Sequence, residues 1–275
     1  MYPKHTFVDC ASSLRSLLKD ILHLPASGYK PCLYLRVMPK THHVSTEHSN
    51  STEVSNSAEL PNSIELLNIY VQPWQTAWTV DLYTMQSAAF TTAADDGTTL
   101  KSVLESLDNP KYFFDVRNPS HALHRYYGIK LAGVKDVQLM QVAARQHPKK
   151  MKFLNSFDKC VAQDVPLSDA QKVQMQRTAN GKAVSSFQPT DSNGTFNPLR
   201  QRPLPRVIQR DCIEEVLQLA KLRGVYWSKL HNVWRQKVNQ ATMDRVRESQ
   251  TPLYDPLSTD AAVPKSFTVR LGKTN

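Results

Sequence analysis

Cysteine is scarce in this chain, and what there is stands apart. Cys10, Cys32, Cys160 and Cys212 never come close enough in sequence to form a zinc knuckle or a dithiol redox motif, so reduced, buried thiols are expected. Glycine is also sparse, with 8 residues against 17 prolines, which excludes a low-complexity chain and suggests a globular one interrupted by proline-bounded loops. Long apolar runs are missing. No stretch approaches the ~18–20 residues that would span a bilayer, and the opening MYPKHTFVDC lacks the apolar core of a signal peptide. These absences predict an intracellular protein of nucleus or cytoplasm, neither secreted nor membrane-bound.

Acids are the next deficit: 24 Asp and Glu face 34 Lys and Arg, for a net charge of +10. Such a surplus favours an anionic partner, and nucleic acid is the commonest. The imbalance concentrates between Arg200 and Arg247, where eleven basic residues meet four acids, a surplus of seven. A charge run of this kind is either a solvated helical surface or a binding face.

At 275 residues with 40% hydrophobic content, the chain can bury a substantial core. Leu14, Leu17, Leu18 and Ile21 recur at helical spacing, with Asp9 or Ser12 as candidate caps. Short β-branched or aromatic runs predict strands at 32–37, 64–71, 77–81, 111–116 and 133–136. Helical spacing recurs at 99–105, 120–127 (closed by Gly128), 137–145, 207–222 and 226–247. Residues 40–63 are rich in Ser, Thr, Asn, Glu and His and nearly free of large apolar side chains, so a flexible insertion is expected there. His42, His43 and His48 within it have no fixed ligand spacing, and a disordered loop accounts for them better than a metal site. The stretch 185–205 reads as a loop. Strands followed by alternating strands and helices predict an α/β fold with a mixed sheet.

The segment from Leu104 to Arg145 contains, in order, the strand KYFFDV, a helix over HAL, the step YGI and a strand ending in DVQL. In that order and spacing it resembles the 3′-5′ exonuclease domain of ribonuclease D, the Werner syndrome exonuclease and the Egalitarian group, of the DEDD superfamily. The likeness extends over about residues 8–250. It implies a ribonuclease-H-like mixed sheet flanked by helices with a helical C-terminal segment, as one domain over 1–250 followed by a tail at 251–275. It also implies two-metal phosphodiester hydrolysis, in which carboxylates hold Mg²⁺ or Mn²⁺.

Residue by residue, the acids implied by the resemblance are mostly missing. The first motif, Asp-x-Glu, falls on Arg36 and Met38, and no Asp-x-Glu lies anywhere in residues 20–70. Arg36 puts a permanent cation where a metal would sit. The second motif's Asp falls on Pro119, with Asp115 four residues earlier as a residual acid. The third motif, Tyr followed four residues later by Asp, falls on Asp211 and Glu215. Glu215 alone keeps a carboxylate at its position, one methylene longer than the Asp.

Three readings follow. The first is a degenerate exonuclease domain that binds RNA or DNA through Arg202, Arg206, Arg210, Lys221 and Arg223, with Lys229, Arg235 and Lys237 nearby, and needs no cofactor. Trp227 and Trp234, seven residues apart, fit core or interface positions better than base-stacking platforms. The second is a protein-interaction scaffold on the same fold. The third is an active exonuclease, dependent on Mg²⁺ or Mn²⁺, with a rearranged set drawn from Asp115, Asp211 and Glu215.

Overall fold

The computed structural model describes residues 2–23, 30–39, 64–145, 153–166, 168, 173, 198–258 and 263–268. The polar insertion at 40–63 and most of the loop at 185–205 lie outside these residues.

The N-terminal KHTFV forms β1 (Lys4–Val8), an element the sequence pattern did not single out. Helix α1 (Ala11–Leu22) buries the Leu14, Leu17, Leu18, Ile21 stripe and starts at Cys10 rather than at Asp9 or Ser12. Strands β2 (Cys32–Pro39), β3 (Ile64–Gln72) and β4 (Thr76–Asp81) follow, then the short helices α2 (Leu82–Met85), α3 (Ala88–Thr91) and α4 (Leu100–Glu105). Next come β5 (Lys111–Phe113), α5 (Arg117–Tyr127), β6 (Val134–Asp136), α6 (Val137–Ala144) and α7 (Phe157–Asp164). The C-terminal helices are α8 (Arg206–Trp227), α9 (Asn232–Ser249) and the short α10 (Lys265–Thr268).

The six strands form one mixed sheet in the order β1-β4-β3-β2-β5-β6. Strands β2, β3 and β4 are antiparallel neighbours, whereas β1–β4, β2–β5 and β5–β6 pair in parallel. Alternation along β2 and β3 decides which residues meet which helices. Leu33, Leu35, Leu67, Ile69 and Val71 face the core shared with α1, α4 and α5. Tyr34, Tyr70 and Tyr112 face the opposite core, built with α6, α7, α8 and α9. Arg36 lies two residues beyond Tyr34 and therefore points to the α8 side.

Two boundaries depart from the sequence reading. Helix α8 runs through Gly224 to Trp227, and the break before α9 falls at Ser228–His231 instead of near residue 224. A single exposed glycine lowers helix propensity by only about 1 kcal/mol, which tertiary packing on both sides outweighs. The thiols also divide: Cys160 and Cys212 are buried, Cys32 is half-buried and Cys10 is exposed. The expectation of four buried cysteines therefore fails at the N-cap of α1. Among the described residues, no helix is long and apolar enough to cross a membrane.

Candidate nucleic-acid interface

The C-terminal end of β2 and the start of α5 meet at a cleft of about 250 Å³ whose walls include Arg36, Phe114, Asp115, Asn118, Pro119 and His121. Arg36 and Pro119, which the resemblance places in the first two motifs, thus share this cleft, and Glu215 reaches it through a side-chain contact. Arg36 Nε donates to Glu215 Oε2 at 3.1 Å, although 179 residues separate the two in sequence. The Arg36 guanidinium also lies over the Phe157 ring, 4.5 Å from its centre. Both partners of the ion pair are about three-quarters buried. Next to them, the Cys212 thiol is pushed up to about 12 by burial and by the Glu215 charge, so it stays protonated.

Asp115 has left-handed backbone torsions, with φ of 57°, which Asp tolerates better than most residues. This turn aims the amides of Asp115 and Val116 at the Asp136 carboxylate, 3.1 and 3.2 Å away. Asp136 also caps α6 through the Gln138 amide and accepts a hydrogen bond of 2.6 Å from Arg245. Both members of that pair are buried, with Asp136 at 0% and Arg245 at 6% side-chain exposure. Asp115 itself takes a fork from Arg117, with Nε and Nη2 at 2.8 and 2.7 Å, and Arg245 stands 3.6 Å away. Burial raises the Asp115 pKa, but the Arg117 hydrogen bond and the two nearby guanidinium charges outweigh it and hold the carboxyl below its ordinary range.

Pro119 occupies the third position of α5, where a missing amide proton disrupts nothing. Met38 packs half-buried against the Leu66, Leu199, Leu204 cluster. Asp211 is half-buried on α8, near Tyr2 and one turn before Glu215. The residues present do not fit a pair of divalent ions. Where the resemblance puts ligands, Arg36 brings a cation, Met38 and Pro119 offer no carboxylate, and Glu215 is engaged by Arg36. Among the described residues, no group of three or more His, Cys, Asp or Glu side chains could hold a metal ion.

The C-terminal segment reaches over this cleft. Tyr254 donates to Asn118 Oδ1 at 2.5 Å, Asn118 Nδ2 donates to the Pro256 carbonyl at 3.2 Å, and Pro256 itself joins the cleft wall. The His121 ring lies 5.0 Å from that of Tyr254. Sequence pattern gave no sign of this docking, because residues 251–258 contain neither helical nor strand periodicity.

The basic residues sort into two groups. Arg202 is a structural residue in this fold: its fork grips the buried Asp81 carboxylate, and its Nη1 donates to the carbonyls of Leu199 and Gln201. Arg200 likewise pairs with the buried Glu65. Arg206, Arg210 and Lys221 are exposed on α8, where spacings of four and eleven residues keep them near one face. Arg223 is half-buried against Tyr112 and Trp227.

No protein-family profile and no curated protein sequence matches the chain. Solved structures do. Ribonuclease D of Trypanosoma brucei, solved with GMP, is 16% identical with a TM-score of 0.70, covering 97% of this chain and 71% of that one. The same enzyme solved with the RNA U12 is 15% identical with a TM-score of 0.67, covering 97% and 78%. Ribonuclease D of Escherichia coli, an exoribonuclease involved in structured RNA processing, is 12% identical with a TM-score of 0.51, covering 90% and 51%. At these identities the likeness is one of fold: the chain has the ribonuclease-H-like fold of 3′-5′ exonuclease domains.

Proposed function

We propose that this chain, built on the fold of ribonuclease D, is a nucleic-acid-binding domain that does not hydrolyse its ligand. The observation that carries the proposal is the Arg36–Glu215 ion pair in the cleft where the resemblance calls for metal-binding acids. A two-metal mechanism needs several carboxylates free to share cations, so that water is activated and the leaving oxygen is stabilised. Here one carboxylate is held by a fixed cation at a ligand position, and Asp115 is held by Arg117 and Arg245.

The same substitutions favour binding. A cleft of bare acids repels phosphate unless metal is present, whereas one of paired charges does not. The exposed cations Arg206, Arg210 and Lys221 supply non-specific affinity for a phosphodiester backbone. Single-stranded RNA is the first ligand to test, because a ribonuclease D of this fold has been solved with RNA.

The test incubates pure protein with 3′-labelled single-stranded RNA and DNA in Mn²⁺, beside Glu215→Ala, and reads binding on the same samples. Intact substrate with salt-sensitive retention is expected. Loss of the 3′ end that disappears in Glu215→Ala would overturn the proposal in favour of catalysis. Intact substrate without retention would overturn it in favour of a protein scaffold.

A further inference from the structure

Among the described residues, five buried or half-buried arginines pair with carboxylates, while Arg145 donates to Gln141 Oε1 and the Phe153 carbonyl and two others meet a tryptophan. Arg36, Arg117, Arg200, Arg202 and Arg245 face Glu215, Asp115, Glu65, Asp81 and Asp136 respectively. Arg223 and Arg235 face rings. The Arg223 guanidinium carbon lies 5.2 Å from the centre of Tyr112 and 5.6 Å from that of Trp227, and Arg235 lies 4.5 Å from Trp227. Their hydrogen bonds go to neutral acceptors: Arg223 Nη2 donates to Tyr112 Oη at 3.3 Å, and Arg235 Nη2 to the Trp227 carbonyl at 3.4 Å. Among the described residues, no carboxylate lies within ion-pair distance of either.

We infer that Arg223 and Arg235, held against Trp227, form a phosphate-gripping site for the backbone of single-stranded nucleic acid. The inference rests on the proposed nucleic-acid reading and locates it. Aromatic faces orient a guanidinium without neutralising it, so the planar fork stays charged and its conformational freedom is already reduced. Such a fork matches phosphate oxygens better than a flexible ammonium does. Tyr112 is itself fixed by stacking on Tyr34 at 4.9 Å and 17°, so the platform under Arg223 is anchored in the sheet.

The two cations are close enough to act together. Both lie near the same ring centre, at 5.6 and 4.5 Å, so they stand no more than about 10 Å apart. Two like charges at that range repel each other, and an anion between or beside them relieves the repulsion. The place is also suitable. Arg223 lies eight residues along α8 from Glu215, roughly 12 Å at 1.5 Å per residue. Lys237, whose ammonium lies 4.9 Å from the centre of Trp234, adds charge on α9 beyond Arg235.

A purely structural role, pinning α9 to α8, predicts a change in stability and none in salt dependence. The experiment therefore measures the affinity of the full chain for fluorescent twelve-nucleotide oligo-uridine and oligo-thymidine over a salt series, with a thermal melt for each protein. Arg223→Ala/Arg235→Ala is compared with wild type and with Arg125→Ala/Arg247→Ala, which removes two exposed charges elsewhere. Each lost phosphate contact lowers the log–log salt slope on a single strand by about 0.7, so a drop of about 1.4 is expected. Affinity should fall at least tenfold, and the control pair should change less. Equal slopes and affinities in the two double variants would overturn the site while leaving nucleic-acid binding intact. No binding by wild type would overturn the nucleic-acid reading and this site with it. If the alanine pair does not fold, Arg223→Lys/Arg235→Lys decides: it keeps the charge and loses the planar stack. Weaker binding at wild-type slope supports the site, and wild-type affinity overturns it.

Discussion

The cleft at the C-terminal end of β2 and the collar of Arg223 and Arg235 around Trp227 use the same residue type in opposite ways. In the cleft, guanidinium groups are matched to carboxylates, and the ions hold elements of the fold together. At the collar, guanidinium groups are matched to rings, and among the described residues no carboxylate pairs with them. Counting arginines along the chain would treat the two places alike. What separates the two places is the group each arginine meets across the fold.

The comparison can be tested first where the ions are most buried. Asp136→Ala leaves Arg245 without its partner and also removes the acceptor for three backbone amides. The expected loss is about 3–5 kcal/mol, read as a fall in melting temperature on the order of 10 °C. A loss under 1 kcal/mol would mean that the cleft ions do not stabilise the fold.

Lys111 extends the comparison to a cation that donates to backbone carbonyls, with the charge of Asp108 only partly offsetting its burial. It is fully buried, donates to the carbonyls of Val103 and Ser106 at 2.9 and 2.6 Å, and burial lowers its pKa to about 8. Below pH 8 the group is charged in both folded and unfolded chains, so the folded state bears the full cost. Between about 8 and 10.5 the unfolded chain binds the extra proton, so stability rises with pH there. Urea titrations of wild type and Lys111→Met across this range should diverge by roughly 2–3 kcal/mol. Parallel profiles would place that charge in water.

The Arg36–Glu215 pair is partly solvated, so its effect is smaller. Arg36→Ala is expected to cost about 1–2 kcal/mol. A double-mutant cycle with Glu215→Gln should recover part of that as coupling. The salt slope of RNA binding should stay at its wild-type value in Arg36→Ala. A lowered slope would show that Arg36 itself contacts phosphate and that the cleft is not a balanced structural site.

The smallest effect reads the collar's field directly. Burial raises the Cys32 pKa, and the nearby Arg223 charge partly lowers it again. Arg223→Ala should therefore slow alkylation of Cys32 at pH 8 by no more than a few-fold, followed by mass spectrometry. An unchanged rate would mean that solvent screens the guanidinium.

Much of the fold was legible in the sequence because burial imposes periodicity. The stripe of α1, the strands around residues 64–81 and the αL stop at Gly128 all follow from local pattern. The site was legible only as a set of substitutions. Arg36 and Pro119 read as lost metal ligands and Glu215 as an altered one, but that Arg36 and Glu215 bond each other depends on α8 crossing β2. Arg202 read as a phosphate contact because nothing local reveals that Asp81 is buried beside it. Arg235 joins Arg223 on Trp227 only because the turn falls at 228–231, a boundary that the pattern placed several residues earlier.

The docking of Tyr254 and Pro256 across the cleft bears on topology as well as packing. An enzyme that trims a strand must admit its terminus, and here Pro256 of the C-terminal segment forms part of the cleft wall. A backbone held at the collar needs no terminus at all. Under the proposed function, a covalently closed RNA circle and its linear isomer would then be equivalent ligands, gripped along their length.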